Sequence, residues 1–410
     1  MSVTPVSRPA KNSDRAISLP APTPTPTHNA HTTPAVARAA TPRYPRMQAL
    51  TPAYARYDYA QREIAPILLD CMLGADWRTN HAVADRARLA QRLFAASQVE
   101  RRQCMVDLRA FYSRPRSTGE RMAAYVPLAS ELAHAALAGS LASAGRQTGL
   151  SAGALTDLIV VSCTGYASPG LDILLARDLH LPQDLRRLIV GHMGCFGAMV
   201  GLRQALAAVQ MQRLMRPATP AVAALLCVEV TSLHFMPTED QEALTSFALF
   251  ADAAAALLLT DDPDATGPEL VDTYCVADFN TAGQMSWNIT DEGFVMTLSP
   301  RVPVTLRRHV EAAVDHLLTP HGLTTNDVSH WLIHPGGPSI LDAIQGKLGL
   351  SDTQMAPSWK VLREHGNCSS VTILLILDEL LRSGQTHPGE WGVLMAFGPG
   401  LTLELALARF

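Results

Sequence analysis

Six short, uninterrupted apolar runs punctuate the chain, and the stretches between them carry helical rather than alternating patterning. The runs are Asp157–Cys163, Leu188–His192, Val222–Val228, Ala253–Leu259, Trp331–His334 and Gly392–Phe397. A strand that is apolar on both faces is stable only when both faces are covered, so the pattern demands sheets sandwiched between helices. Helical spacing is read over Ala82–Tyr112, Ser130–Thr148, Phe196–Met215 and Thr305–Leu318. Strand and helix in alternation predict an α/β fold.

A faint internal repeat accompanies the alternation. Val160–Gly170 (VVSCTGYASPG) echoes Trp331–Ile340 (WLIHPGGPSI), and Leu225–Ser232 (LLCVEVTS) echoes Val393–Gly400 (VLMAFGPG). Each is an apolar strand delivered into a small-residue or polar turn. The echo is compatible with a duplicated core: residues 51–260 as one half, 261–410 as the other, both contributing to one site.

At 410 residues, 48% hydrophobic and 17% charged, the chain can bury a large core. A net charge of −4 and a pI near 6.4 give no reason to expect nucleic acid or an anionic membrane as partner. No run of about 20 apolar residues is present, so no membrane span is expected. Residues 1–50 are rich in Pro, Thr and Ala without apolar periodicity, and they read as a disordered tail without the apolar segment of a secretory signal. Seven cysteines, odd in number, scattered and without a CxxC pair, point to neither a metal site nor a disulfide framework; a reducing cytoplasm fits.

One cysteine has a distinctive setting. Cys195 follows an apolar strand and a Gly191-His-Met-Gly194 turn and opens the next helical segment, where free backbone N–H groups and the helix dipole favour a thiolate. His334 ends the Trp331 strand before Pro-Gly-Gly-Pro, and Asn367 sits in a Gly-Asn-Cys-Ser-Ser turn. A thiol, a base and an amide donor in such turns suggest an acyl-transfer centre, with Asn367 donating to a developing enolate or oxyanion.

The spacing of positions 195, 334 and 367 and five motifs resemble the type III, chalcone synthase-like polyketide synthases. The motifs are GC at 194–195, CVEVTSLHF at 227–235, ALFADAAAA at 248–256, HPGGPSILD at 334–342 and FGPGLTLE at 397–404. The resemblance covers about residues 60–410 and implies a thiolase-like, duplicated αβαβα layered core with mixed sheets. It implies that Cys195 holds the starter and the growing chain as a thioester. His334 would stabilise the thiolate as imidazolium, and His334 and Asn367 would hydrogen-bond the malonyl thioester carbonyl. Phe250 would stand as a gate between a CoA tunnel and the elongation cavity. Cys163, Trp287, Met296, His234 and Ser369 would line the substrate pocket, and Arg92, Gly336, Gly337 and Ser339 would bind CoA. An acyl-CoA starter and malonyl-CoA are the implied substrates, with no metal or redox cofactor and a homodimeric state.

The chain departs from the plant pattern at Cys163 (Thr in plants), Trp287 (Gly) and Met296 (Phe), which suggests aliphatic starters over p-coumaroyl and alkylpyrone or alkylresorcinol products. Two lysine positions of the family's CoA site read Leu89 and Ala96, with Arg88, Arg101 or Arg102 as substitutes. A ketoacyl-ACP synthase III would show His-Gln-Ala-Asn and Asn-Thr-Ser where this chain has His-Pro-Gly-Gly and Asn-Cys-Ser-Ser. A non-catalytic binding protein on the same fold would be expected to lose a member of the trio.

Overall fold

The apolar runs become strands whose alternate residues feed two different layers. The computed structural model describes residues 44–74, 76–235 and 240–410, so residues 1–43 of the expected tail lie outside the described residues. In chain order the strands are β1 (Arg46–Tyr54), β2 (Tyr57–Ala60), β3 (Arg101–Cys104), β4 (Asp157–Ser162), β5 (Arg186–Gly191), β6 (Val222–Glu229), β7 (Ala253–Thr260), β8 (Glu269–Ala277), β9 (Met285–Thr290), β10 (Gly293–Leu298), β11 (Val328–Ile333), β12 (Trp391–Gly398) and β13 (Thr402–Arg409).

Nine of these pair in the order β11-β12-β13-β8-β1-β7-β6-β4-β5. Within the order, two blocks repeat one topology. In the first, β4 runs parallel to β6, then β7 and β1 follow antiparallel. In the second, β11 runs parallel to β12, then β13 and β8 follow antiparallel. The sequence echoes fall on corresponding strands, β4 with β11 and β6 with β12. The blocks meet where Arg46 of β1 opposes Glu269 of β8, a pair closed by an ion pair at 2.9 Å.

Period-two burial sorts the strands' side chains into layers. On β6, Val222, Ala224, Leu226 and Val228 face a core shared with helix Thr118–Thr148. Ala223, Leu225 and Cys227 face the opposite way, onto helices Gly197–Met215 and Thr372–Ser383. Leu394 and Ala396 of β12 meet the same central helices from the other side. Val393, Met395 and Phe397 pack on helix Val302–Leu318 in the third core. Helix, sheet, helix pair, sheet and helix thus form five layers of a thiolase-like fold.

Two expectations need correction. The tail boundary at residue 50 falls inside β1, because Arg46–Gln48 pair with Leu258–Thr260 of β7. The helix read over Ala82–Tyr112 stops at Ala96. There the Ser97 hydroxyl donates to the Phe94 carbonyl and accepts the Val99 N–H, and Gln98 turns into the left-handed region at φ +55°. Arg101 and Arg102 then lie on β3, paired with β2.

Candidate active site

Cys195 sits in a single turn, Gly194–Phe196, between the end of β5 and helix Gly197–Met215. The turn needs glycine: Gly194 has φ +74°, and a Cβ there would stand 3.0 Å from Pro399 Cδ. Asn367 is fixed from the other half of the molecule. Its N–H donates to the Leu249 carbonyl at 2.8 Å, and its carbonyl accepts the Ala251 N–H at 2.9 Å, a bridge that straddles Phe250. Gly366 permits this approach, since a Cβ would come 2.6 Å from the Leu249 carbonyl oxygen. Asn367 Oδ1 accepts the N–H of Ser369 (φ +51°) at 2.8 Å, and Nδ2 and Oδ1 both lie 3.9 Å from Cys195 Sγ.

His334 directly follows β11, and its N–H bonds the Met395 carbonyl of β12 at 2.8 Å. Its ring is fully buried, edge-on to Phe397 at 5.6 Å, and neither ring nitrogen has a hydrogen-bond partner. Phe397 leads through Gly398, packed on Phe196, to Pro399 in the Cys195 cavity. An unpaired buried imidazole is costly structurally and marks a group kept for a ligand. His234 is the opposite case. Its Nε2 bonds the Thr164 carbonyl at 2.7 Å, its Nδ1 accepts the Phe294 N–H at 3.1 Å, and its ring stacks on Phe294 at 4.3 Å. It stands behind the pocket, edge-on to Trp287, and not on its lining as expected.

Burial governs the titration of this site. It pushes the Cys195 thiol up to about 12, against hydrogen bonds to Ser369 and Asn367 that lower it. It pulls His334 down to about 3. Desolvation thus favours the neutral form of both groups.

An inner cavity of about 20 Å³ adjoins Cys195, lined by Cys163, Phe250, Trp287, Met296 and Ser369 as expected, and by Met285, Thr231 and Pro399 besides. Period-two spacing could have found Met285, which shares with Trp287 the cavity-facing side of β9; Met296 stands opposite Trp287 on β10. Beneath the cavity, Glu229 of β6 is fully buried, accepting the Cys163 N–H at 3.0 Å and the Thr164 hydroxyl at 2.9 Å, and burial pushes its carboxyl up. A lone acid inside an apolar strand was its signal in the sequence.

An outer pocket of about 690 Å³ lies beyond Leu249, lined by Gly336, Gly337 and Ser339 together with Leu93, Ala96 and Thr245. Arg92 is not on the lining, but it is exposed one turn before Ala96 on the same helix face. The proposed substitutes for the missing lysines are otherwise engaged. Arg88 pairs with Asp85 and Arg101 with Asp58, while Arg102 is fully buried and donates to the Phe250 carbonyl at 2.7 Å. Among the described residues, the charged groups on the lining are the acids Asp240, Glu242 and Asp342.

A buried cysteine at a strand–helix turn with an amide 3.9 Å from its sulfur, on a duplicated five-layer core that also buries an unpaired imidazole, fits a thiol-dependent condensing enzyme. The chain belongs to the chalcone and stilbene synthase family: residues 77–263 match its N-terminal domain and residues 274–410 its C-terminal domain. It is 32% identical over 356 residues to 1,3,6,8-tetrahydroxynaphthalene synthase of Streptomyces peucetius subsp. caesius, covering 86% of this chain and 89% of that one. It is 31% identical over 380 residues to 3,5-dihydroxyphenylacetyl-CoA synthase of Streptomyces toyocaensis, covering 90% and 91%. The crystal structure of PKS-I from the brown alga Ectocarpus siliculosus superposes with a TM-score of 0.81 at 26% identity, over 91% of this chain and all of that one. The chain is a type III polyketide synthase and thus an acyltransferase.

Proposed function

We propose that the protein condenses malonyl-CoA onto a short aliphatic acyl starter held on Cys195. The observation that carries this reading is the fully buried His334, whose two ring nitrogens are unpaired, in a site where Asn367 Nδ2 lies 3.9 Å from the Cys195 sulfur. In the proposed cycle, the Cys195 thiolate attacks the starter thioester; the new carbon–sulfur bond forms as the bond to CoA breaks, and CoA leaves as its thiol. Malonyl-CoA then enters through the outer pocket with Gly336, Gly337, Ser339 and Arg92 around its CoA. Loss of carbon dioxide leaves an enolate whose oxygen accepts hydrogen bonds from Asn367 and His334. The enolate carbon attacks the Cys195 thioester, forming the carbon–carbon bond and releasing the Cys195 thiolate.

The methionines on the inner lining support an apolar starter, and a cavity of about 20 Å³, room for about one water, supports a short one. The named products of the two relatives are hydroxylated aromatics, and ring closure to a compact pyrone or resorcinol is the corresponding outcome here. We also propose a homodimer in a cytoplasmic setting. Exposed Leu188 and Ile189 on the edge strand β5, with Met211, Leu214 and Met215 on the following helix, supply an apolar face for a second copy, and all seven cysteines are free. No helix among the described residues is long and apolar enough to cross a membrane.

Incubation with malonyl-CoA and a panel of acyl-CoA starters, with products identified by mass, tests the reading. Condensation products are expected from short aliphatic starters and are absent with Cys195→Ala. Failure of every free CoA starter to yield a product overturns it.

A further inference from the structure

The β9–β10 face of the inner cavity carries one braced side chain, Trp287, beside two unbraced methionines, and the brace reaches back to residues that do not line the cavity. Trp287 is fixed at two points. Its indole N–H donates to the Cys163 carbonyl at 2.7 Å, and its own carbonyl is bonded by His192 Nε2 at 2.8 Å. His192 is in turn bonded at Nδ1 by the Tyr166 hydroxyl. One tautomer serves the whole chain: the phenol O–H donates to Nδ1, and Nε2–H donates to the Trp287 carbonyl. His192 holds this position at φ +59°, a left-handed backbone that a non-glycine residue adopts at a cost, and such strain persists where the surroundings require it. The rings of Tyr166, His192, His234 and Trp287 all pack around Phe294, within 4.3–6.2 Å between centroids.

The neighbours of Trp287 on the same face of the β9–β10 hairpin are different in kind. Met285 and Met296 meet the cavity with unbranched thioether side chains that make no directional bonds and can take several rotamers. A cavity of about 20 Å³ must enlarge for any chain to grow on Cys195.

We propose that Tyr166 and His192 are positioning residues that brace Trp287 as the fixed point of this face, so that the growing polyketide makes room only by displacing the methionines beside it and its length is capped. The proposal rests on the condensing activity proposed above. Tyr166 and His192 touch no reacting atom; they act through Trp287.

The test uses the full chain with Tyr166→Phe, His192→Asn (a residue at ease in the left-handed region) and Trp287→Gly. The starter panel is used, and products are resolved by mass. The expected result is a main product longer by at least one malonyl unit in all three variants, with the rate of the first condensation in Tyr166→Phe and His192→Asn within a few-fold of wild type. A merely structural role would lower rates without lengthening the product. Lengthening by Trp287→Gly alone, or by none of the three, overturns the brace. A second readout needs no turnover: in protein labelled with 5-fluorotryptophan, the Trp287 fluorine resonance should shift in Tyr166→Phe and His192→Asn. An unmoved resonance overturns the brace even if wild type proves inactive, whereas inactivity with a moved resonance counts against the condensing activity alone.

Discussion

Asn367 lays its side-chain amide against the Cys195 sulfur, Nδ2 and Oδ1 both at 3.9 Å, while Oδ1 also accepts the Ser369 N–H at 2.8 Å. With Oδ1 accepting from Ser369, Nδ2 is the amide atom that can donate to a group held on the sulfur. Replacing Asn367 with Ala should lower condensation by about two to three powers of ten, as for loss of one oxyanion donor. Asn367→Asp keeps the Ser369 contact but removes the donor and should be as damaging. Rates of carbon dioxide release from malonyl-CoA, measured apart from condensation, check the assignment; an unchanged rate in both variants would refute it.

His334 and Cys195 are each driven toward neutrality by burial, so we propose that a thiolate forms at neutral pH only as the Cys195 proton passes to His334, which takes up no proton from solvent. In His334→Gln the thiol keeps its burial, the Ser369 and Asn367 hydrogen bonds and the Glu229 charge, which together push it up to about 12, and has no imidazole to take its proton. Iodoacetamide alkylation of Cys195, followed by peptide mass, should slow at least about tenfold at pH 7 in the variant. Its rate should keep rising with pH to the alkaline limit, where wild type reaches a plateau. Superimposable profiles would exclude His334 from thiolate formation.

The sequence was legible where function and fold share a local pattern. Apolar runs announced β4, β6, β7, β11 and β12, and the echo between halves matched real strand correspondence, because burial on both faces leaves a continuous apolar signature. Cys195 and Asn367 were legible through the glycines that their turns require. Three things were not. The end of helix Ala84–Ala96 was hidden because Arg101 and Arg102 continue a helical charge pattern, while pairing with β2 is a long-range fact. His234 looked like a pocket residue because its neighbours are, yet both its nitrogens are consumed by backbone groups. The Tyr166–His192–Trp287 chain joins three separated segments, and no local spacing encodes it.

Arg102 is a buried cation acting as a splint for the backbone at Phe250. Its Nη1 donates to the Phe247 and Phe250 carbonyls, and its stem packs against Gly366 beside Asn367. Burial pulls its guanidinium down to about 10. Arg102→Ala should cost about 2–4 kcal/mol in urea unfolding, since two buried carbonyls lose their donor and a void opens. Among variants that still fold, Arg102→Lys should loosen the discrimination among starters at Phe250 more than it lowers the rate with the best starter. An unfolding midpoint unchanged in Arg102→Ala would contradict the role.

Two buried histidines, His234 and His334, and the half-buried His365 shape the acid limb of stability. Burial pulls His234, His334 and His365 down to about 4, 3 and 4. The unfolded chain binds protons at these rings as pH falls below about 6.5, while the folded chain refuses them until about 4 or 3. The stability they confer is therefore whole above about 6.5 and is lost as pH falls through that window. Buried carboxyls with raised values, Glu229 and Asp252, act in the opposite sense, so the total curve mixes both. A difference measurement isolates one ring, and His334 is the cleanest because neither of its nitrogens is bonded. Between pH 7 and pH 5, wild type should lose about 2 kcal/mol of unfolding free energy more than His334→Gln does. Urea titrations of both proteins at the two pH values measure that difference, and equal losses would mean that His334 is not buried neutral in the folded enzyme.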